Sequence, residues 1–263
     1  GADPPRAVVD AELGHEASPG DAGRSAAAGD AEVLVECSQV ERADGSRYTG
    51  QMLNGQRHGR GVLTRPDGQR YEGEFRQDQA HGQGTFSAPS GNTYDGQWET
   101  DRAHGFGRYT HVDGSSYEGE WRADAKCGQG VEKWTDGARY WGDFVDGKKH
   151  GQGVYTSGTG VTFEGQFRND KMDGDGRYSF IDDRIYLGQW RAGHMHGQGR
   201  MEWPSGASYE GQYVDDVKGG VGTFVWPDGR THRGQWRLGK QDGRGVTIDL
   251  DGVETEGEWR SGE

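Results

Sequence analysis

Cysteine is nearly absent from this chain. Cys37 and Cys127 are the only two, too few to staple a small secreted scaffold, and no Asn-x-Ser/Thr acceptor occurs, so a reducing cytoplasmic compartment fits best. Long apolar runs are also missing. None approaches the ~18 residues of a membrane-spanning helix, and no opening segment shows the basic, apolar and small-residue order of a signal peptide. Leu and Ile, the usual filling of helical cores, are scarce, only 30% of residues are hydrophobic, and mean hydropathy is -1.03. Positive charge is in deficit, with 30 Lys and Arg against 43 Asp and Glu, a net charge of -13 and a pI near 5.1. Nonspecific attraction to nucleic acid or anionic lipid is therefore not expected, and protein partners are favoured. The chain begins with Gly1 rather than Met and is read as a fragment.

Glycine fills the space left by the missing aliphatics. There are 49 glycines, where average usage gives roughly 18 in a chain of this length. The apolar residues that remain are disproportionately aromatic: 9 Trp, 11 Tyr and 8 Phe. Glycine with aromatics favours β-structure joined by turns.

Residues 1–32 are rich in Ala, Gly, Asp, Ser and Pro and carry neither a helical nor a strand period, which predicts a disordered tail. From Tyr48 the chain repeats every 23 residues without insertion or deletion. The aromatic starts are Tyr48, Tyr71, Tyr94, Tyr117, Tyr140, Phe163, Tyr186 and Tyr209, with His232 and Thr255 in the last two start slots. Two residues after each start stands a glycine: Gly50, Gly73, Gly96, Gly119, Gly142, Gly165, Gly188, Gly211, Gly234 and Gly257. Two further on comes a second large side chain: Met52, Phe75, Trp98, Trp121, Phe144, Phe167, Trp190, Tyr213, Trp236 and Trp259. The second half of each repeat reads His-Gly-x-Gly, with Cys127, Asp173, Gly219 and Asp242 replacing His in four repeats. A turn that is usually Asp-Gly follows, as at Asp67-Gly68, although Asp182-Asp183 breaks the pattern once. Residues 48–263 thus hold nine full repeats and a truncated tenth, and 33–47 form a partial capping repeat ending in phase at Asp44-Gly45.

Such indel-free periodicity marks a solenoid in which each repeat buries its face only against neighbours. In Tyr-x-Gly-x-Trp the aromatic, the glycine and the second aromatic fall on one face of a strand. Gly-x-Gly-x-aromatic, as at Gly105, Gly107 and Tyr109, continues the same logic, so each repeat is a β-hairpin. Asp-Gly supplies the reversal into the next strand. The expected fold is all-β: an elongated, twisted single-layer antiparallel sheet of stacked hairpins. At two strands per repeat and ~4.8 Å per strand it would run on the order of 90 Å. Glycine weakens a strand unless a ring covers it, so an aromatic ladder is expected in which each glycine gap receives a ring from the neighbouring strand.

Tyr-x-Gly-x-Trp, His-Gly-x-Gly and Asp-Gly at 23-residue spacing resemble the MORN (membrane occupation and recognition nexus) repeat over residues 33–263. The resemblance implies an elongated β-hairpin array, often dimeric. It also implies roles as a noncatalytic scaffold in cytoskeletal, ciliary and flagellar (axonemal) structures, docking motor-associated or other partner segments. The alternatives it carries are a peripheral membrane or phosphoinositide-binding module and the regulatory part of a larger enzyme.

The residues favour the first of these. His58, His81, His104, His150 and His196 recur about 10 Å apart in stacked repeats, too far to share one metal ion. His-Gly-x-Gly lacks the strand-to-helix setting of a phosphate loop, and no local signature sets a nucleophile beside a base, so no catalytic residue, cofactor or metal is assigned. Gly50, Gly73, Gly96, Gly119, Gly142, Gly165, Gly188, Gly211 and Gly234 are read as structural. Both aromatic rows are read chiefly as the internal packing of the repeats; the partner-binding candidates are any exposed part of the row's middle (Trp98, Trp121, Phe144, Phe167 and Trp190) and, better placed, Trp134, Trp203 and Trp226, which stand 17 residues after a start in a slot that is otherwise often small or polar. An open strand edge also allows assembly with a second copy. The outward slots mix Arg with acids, as in Glu72, Glu74 and Arg76, leaving no basic stripe for lipid or nucleic acid.

Overall fold

The computed structural model describes residues 33–262, so the expected tail lies outside the described residues. The described residues form twenty β-strands and no helix. They divide into two compact units, 33–132 and 133–262. The first holds nine strands, from Val35–Glu41 to Ala125–Lys133, and the second eleven, from Arg139–Val145 to Glu254–Trp259. Within each unit successive strands pair antiparallel with their sequence neighbours. The half-repeat strand Val35–Glu41 pairs with Arg47–Leu53 through Val35↔Met52 and Glu41↔Arg47.

The register repeats with the sequence. In the hairpin of Thr93–Glu99 and Arg102–Thr110, Tyr94 faces Tyr109, Gly96 faces Gly107 and Trp98 faces Ala103. The starting aromatics and the fifth-slot rings alternate in edge-to-face contacts. In the first unit Tyr71–Trp98, Tyr94–Trp98, Tyr94–Trp121 and Tyr117–Trp121 have centroids 5.0–5.3 Å apart and interplanar angles of 88–90°. In the second, Tyr140–Phe167, Phe163–Phe167, Phe163–Trp190, Tyr186–Trp190 and Tyr209–Trp236 do the same at 5.0–5.4 Å. This is the geometry in which a positive ring edge meets a negative ring face.

The glycine slots exist, and one ring serves two of them: the second-strand glycine is filled from the neighbouring strand as expected, the first-strand glycine from its own strand. Tyr71 lies two residues before Gly73 on the same strand and folds back over Gly73 and its partner Gly84; a Cβ on Gly84 would meet the Tyr71 Oη at 2.3 Å. The ring therefore belongs to the glycine's own strand and also covers the neighbouring one. Folding back leaves the hydroxyl beside a backbone carbonyl: Tyr94 Oη donates to Gln97 O at 2.9 Å, and Tyr48, Tyr140 and Tyr186 do likewise in their repeats. Burial pushes the Tyr48 phenol up to about 12 and the other ladder tyrosines above the ordinary phenol range, so each stays a protonated donor at neutral pH.

A bulge recurs in the repeat hairpins at the first glycine of His-Gly-x-Gly. Register shifts between Gly96 and Trp98, and Gly105 adopts φ +66 opposite it, a conformation glycine enters without penalty. The bulge turns one backbone N–H out of the ladder, and the fourth-slot side chain accepts it: Phe106 N–H donates to Gln97 Oε1 at 2.7 Å, and Gln198 N–H to Gln189 Oε1 at 2.9 Å. Two-residue turns with positive φ at both residues, such as Thr100-Asp101 and Asn169-Asp170, close several of the hairpins. They have the shape that matches strand twist.

Candidate partner-docking surfaces

The ladder consumes the rings in the middle of the aromatic row. Trp98, Trp121, Phe144, Phe167 and Trp190 are only 2–6% exposed, and the indoles of Trp98 and Trp121 donate to the Gly84 and Gly107 carbonyls at 2.9 and 3.0 Å. These five are core and do not wall an open groove, contrary to the expectation from the row. A Cβ at any of the nine repeat glycines would meet a tyrosine, phenylalanine or histidine ring and the opposite strand.

Trp134, Trp203 and Trp226 are placed differently. All three belong to the second unit and are half-buried, each beginning a loop closed by backbone hydrogen bonds such as Trp203 N–H to Ala207 O at 3.0 Å. Their rings rest on sixteenth-slot aromatics: Trp134 on Tyr155 at 6.2 Å, Trp203 on Phe224 at 5.8 Å, and Trp226 on Phe224 at 5.0 Å. Phe180, in the slot that Trp134 occupies in its own repeat, packs on Tyr178 at 4.5 Å. Tyr178 and Phe224 in turn touch the ladder rings Trp190 and Trp236. The result is a shelf of half-exposed rings along the ladder's side of the second unit.

Cations sit on this shelf, a feature missed by reading the aromatics alone. Lys149 Nζ lies 4.8 Å from the Trp134 centroid and 3.8 Å from Asp170 Oδ1. Lys218 Nζ lies 4.5–5.9 Å from the rings of Trp236, Phe224, Tyr209 and Trp203. Such contacts stabilise by about 0.5–2 kcal/mol each when partly desolvated. Lysine recurring in the tenth slot, at Lys126, Lys149 and Lys218, is the signal that could have located them.

The opposite face carries different chemistry. Side chains flanking the slot glycines point away from the ladder, and in the first unit they border an open trough of about 600 Å³ lined by Glu36, Arg60, Glu72, Glu74 and Asp95 over the backbone of Gly61, Gly73 and Gly84. Four carboxylates against one guanidinium make this trough acidic. In the same outward slots Phe106, Trp141, Leu187 and Val221 are 55–59% exposed, apolar side chains where most repeats carry polar ones.

Of the repeat histidines, His104 Nδ1 pairs with Glu99 at 3.2 Å, whereas the buried His196 Nδ1 lies 3.3 Å from Asp215 without making a hydrogen bond. Asp173 and Asp242, which replace histidine, pair instead with Arg168 and Arg237.

Strand register, glycine slots and ring ladder together define a β-hairpin repeat protein of 23-residue period. Nine consecutive segments match the MORN repeat, at 48–70, 71–93, 94–116, 117–139, 140–162, 163–183, 186–208, 209–229 and 232–252. The chain belongs to the MORN-repeat family. No match was found among curated proteins. Among solved structures, the chain is similar to the TCP10 domain of Danio rerio CPAP in complex with a STIL peptide, at 15% identity, 86% of this chain, 100% of that chain and a TM-score of 0.30. The Drosophila melanogaster SAS-4 TCP domain, bound to a proline-rich motif of Ana2, matches at 11% identity, 92% and 99% coverage and a TM-score of 0.22. Catalytically inactive virginiamycin B lyase of Staphylococcus aureus with quinupristin matches at 9% identity, 85% and 84% coverage and a TM-score of 0.17. Similarity at this level says nothing about function.

Proposed function

We propose that this chain is a noncatalytic scaffold that holds partner proteins through exposed side chains of a rigid repeat sheet, in cytoplasmic cytoskeletal assemblies and most specifically ciliary or flagellar ones. Membership of the MORN-repeat family supports the scaffold role. The observation that carries the docking role is the shelf of Trp134, Trp203 and Trp226, half-exposed rings on fixed loops. Large aromatics held rigidly at a surface bind with little further loss of side-chain entropy, which is why they dominate interface energetics. The net charge of -13 favours protein over anionic lipid.

The test is affinity capture from a ciliated-cell lysate with the wild-type chain and a Trp134/Trp203/Trp226→Ala variant, beside anionic liposomes. Cytoskeletal partners retained by the wild type, lost by the variant and unaccompanied by liposome binding are the expected result. Salt-sensitive liposome binding that survives the substitutions would overturn it in favour of a peripheral membrane module.

A further inference from the structure

The tenth slot of the repeat faces the aromatic ladder, and when it holds lysine the sheet usually supplies an acid. Lys126 Nζ pairs with Glu132 at 2.5 Å, from the sixteenth slot of its own repeat. Lys149 Nζ lies 3.8 Å from Asp170, in the eighth slot of the following repeat. At Lys218 both positions have changed: the sixteenth slot holds Phe224 and the following eighth slot holds Gly239. Among the described residues the Lys218 ammonium accordingly has no hydrogen bond or ion pair, yet its half-buried side chain keeps Nζ in contact with solvent. Four rings surround that ammonium: Trp236 at 4.5 Å, Phe224 at 4.9 Å, Tyr209 at 5.3 Å and Trp203 at 5.9 Å.

A half-desolvated ammonium without a counter-charge is an unusual thing to keep in a fold, since ring faces offset only part of the lost hydration. Burial also holds the Lys218 amine below the ordinary lysine range, and an arriving negative charge would reverse that. The ammonium opens onto the half-exposed rings of Trp203, Phe224 and Trp226, so whatever reaches it crosses an apolar rim. One ammonium matches one unit of negative charge. A phosphate, with more charge and more acceptor oxygens, calls for several donors or an arginine fork.

We propose that Lys218 anchors a single carboxylate of a partner protein, an aspartate or glutamate side chain within an apolar stretch whose flanking residues lie on Trp203, Phe224 and Trp226. The partner's acid then completes the pair that Glu132 or Asp170 completes inside the other repeats. The inference rests on the docking role of the shelf and adds the chemistry of what docks.

The test is selection of a random-dodecapeptide phage library on the immobilised full chain, with the Trp203→Ala variant used to discard peptides that do not need the shelf. Selected peptides are then titrated by calorimetry against the wild type and Lys218→Met. Methionine is safe here because Met172 and Met195 fill the same slot in two other repeats, and thermal melting of the variant verifies the fold. Shelf-dependent peptides should carry Asp or Glu beside an aromatic or aliphatic residue. Changing that acid to its amide should weaken binding to the wild type by about tenfold or more, with little effect on Lys218→Met. Shelf-dependent peptides without an acid, or binding equally tight to Lys218→Met, would overturn the role of Lys218 and leave the shelf standing. If no peptide depended on Trp203, both would fall.

Discussion

His232 fills the start slot that tyrosine or phenylalanine holds in the eight preceding repeats. It is 0% exposed, touches Trp236 and Trp259, and has neither ring nitrogen hydrogen-bonded. Burial lowers its pKa from the ordinary 6.5, so below that pH the unfolded chain takes up a proton that the folded chain resists. Stability is therefore full above about pH 6.5 and is lost as pH falls from there toward the lower folded value. His232→Phe, which removes two unsatisfied polar atoms, should stabilise by about 1–2 kcal/mol at neutral pH. It should gain more at pH 5.5 than at pH 8. Equal urea midpoints for variant and wild type at both pH values would contradict this. Trp190 and Trp121 give a second contrast. Trp121 donates its indole N–H to Gly107 O, whereas the Trp190 Nε1 is buried without a partner. Phenylalanine is native to this slot at Phe144 and Phe167. Trp121→Phe should thus cost about 1 kcal/mol more than Trp190→Phe in chemical denaturation, and equal losses would show that the indole hydrogen bond adds nothing.

Between neighbouring hairpins the eighth-slot aspartate acts as a staple. Asp101 Oδ1 accepts from Ala80 N–H at 2.7 Å, Asp124 from Ala103 and Asp170 from Lys149, so a turn in one repeat secures the second strand of the repeat before it. Asp101→Ala should destabilise by about 1 kcal/mol, read as a lower denaturant midpoint with an unchanged slope. Asp101→Asn, which keeps an acceptor oxygen, should recover most of the loss. Hairpins, strand register and glycine slots were legible in the sequence because side-chain alternation with period two and a fixed 23-residue repeat leave one arrangement that keeps aromatics and glycines on a common face. The staple and the fourth-slot acceptor were not, because both answer a backbone N–H that only the bulge and the turn expose. Packing of the aromatic rows was legible too, but that it covers Trp98, Trp121, Phe144, Phe167 and Trp190 so fully that no groove stays open was not. Periodicity assigns a residue to a face, but whether that face is left open depends on ring packing, and here each tyrosine folds over its own glycine and walls in the next large ring. Trp134, Trp203 and Trp226 escape because their slot opens a loop instead of continuing a strand.

At the scale of the whole molecule the repeats divide labour between rings that hold the fold and rings that meet solvent, and each unit keeps its own version. The first unit has the acidic trough behind its ladder, while the second has the aromatic shelf with its cations beside the ladder. In the proposed function the second class of rings does the docking. Hydroxyl-radical footprinting of the chain, alone and with its captured protein partner, tests this most directly, because it reads side-chain exposure ring by ring. The account predicts that Trp134, Trp203 and Trp226 become protected on binding while Trp98, Trp121 and Trp236 stay unreactive in both states. Protection confined to the opposite face, at Phe106, Trp141 and Leu187, with the three shelf tryptophans as reactive as before, would contradict it.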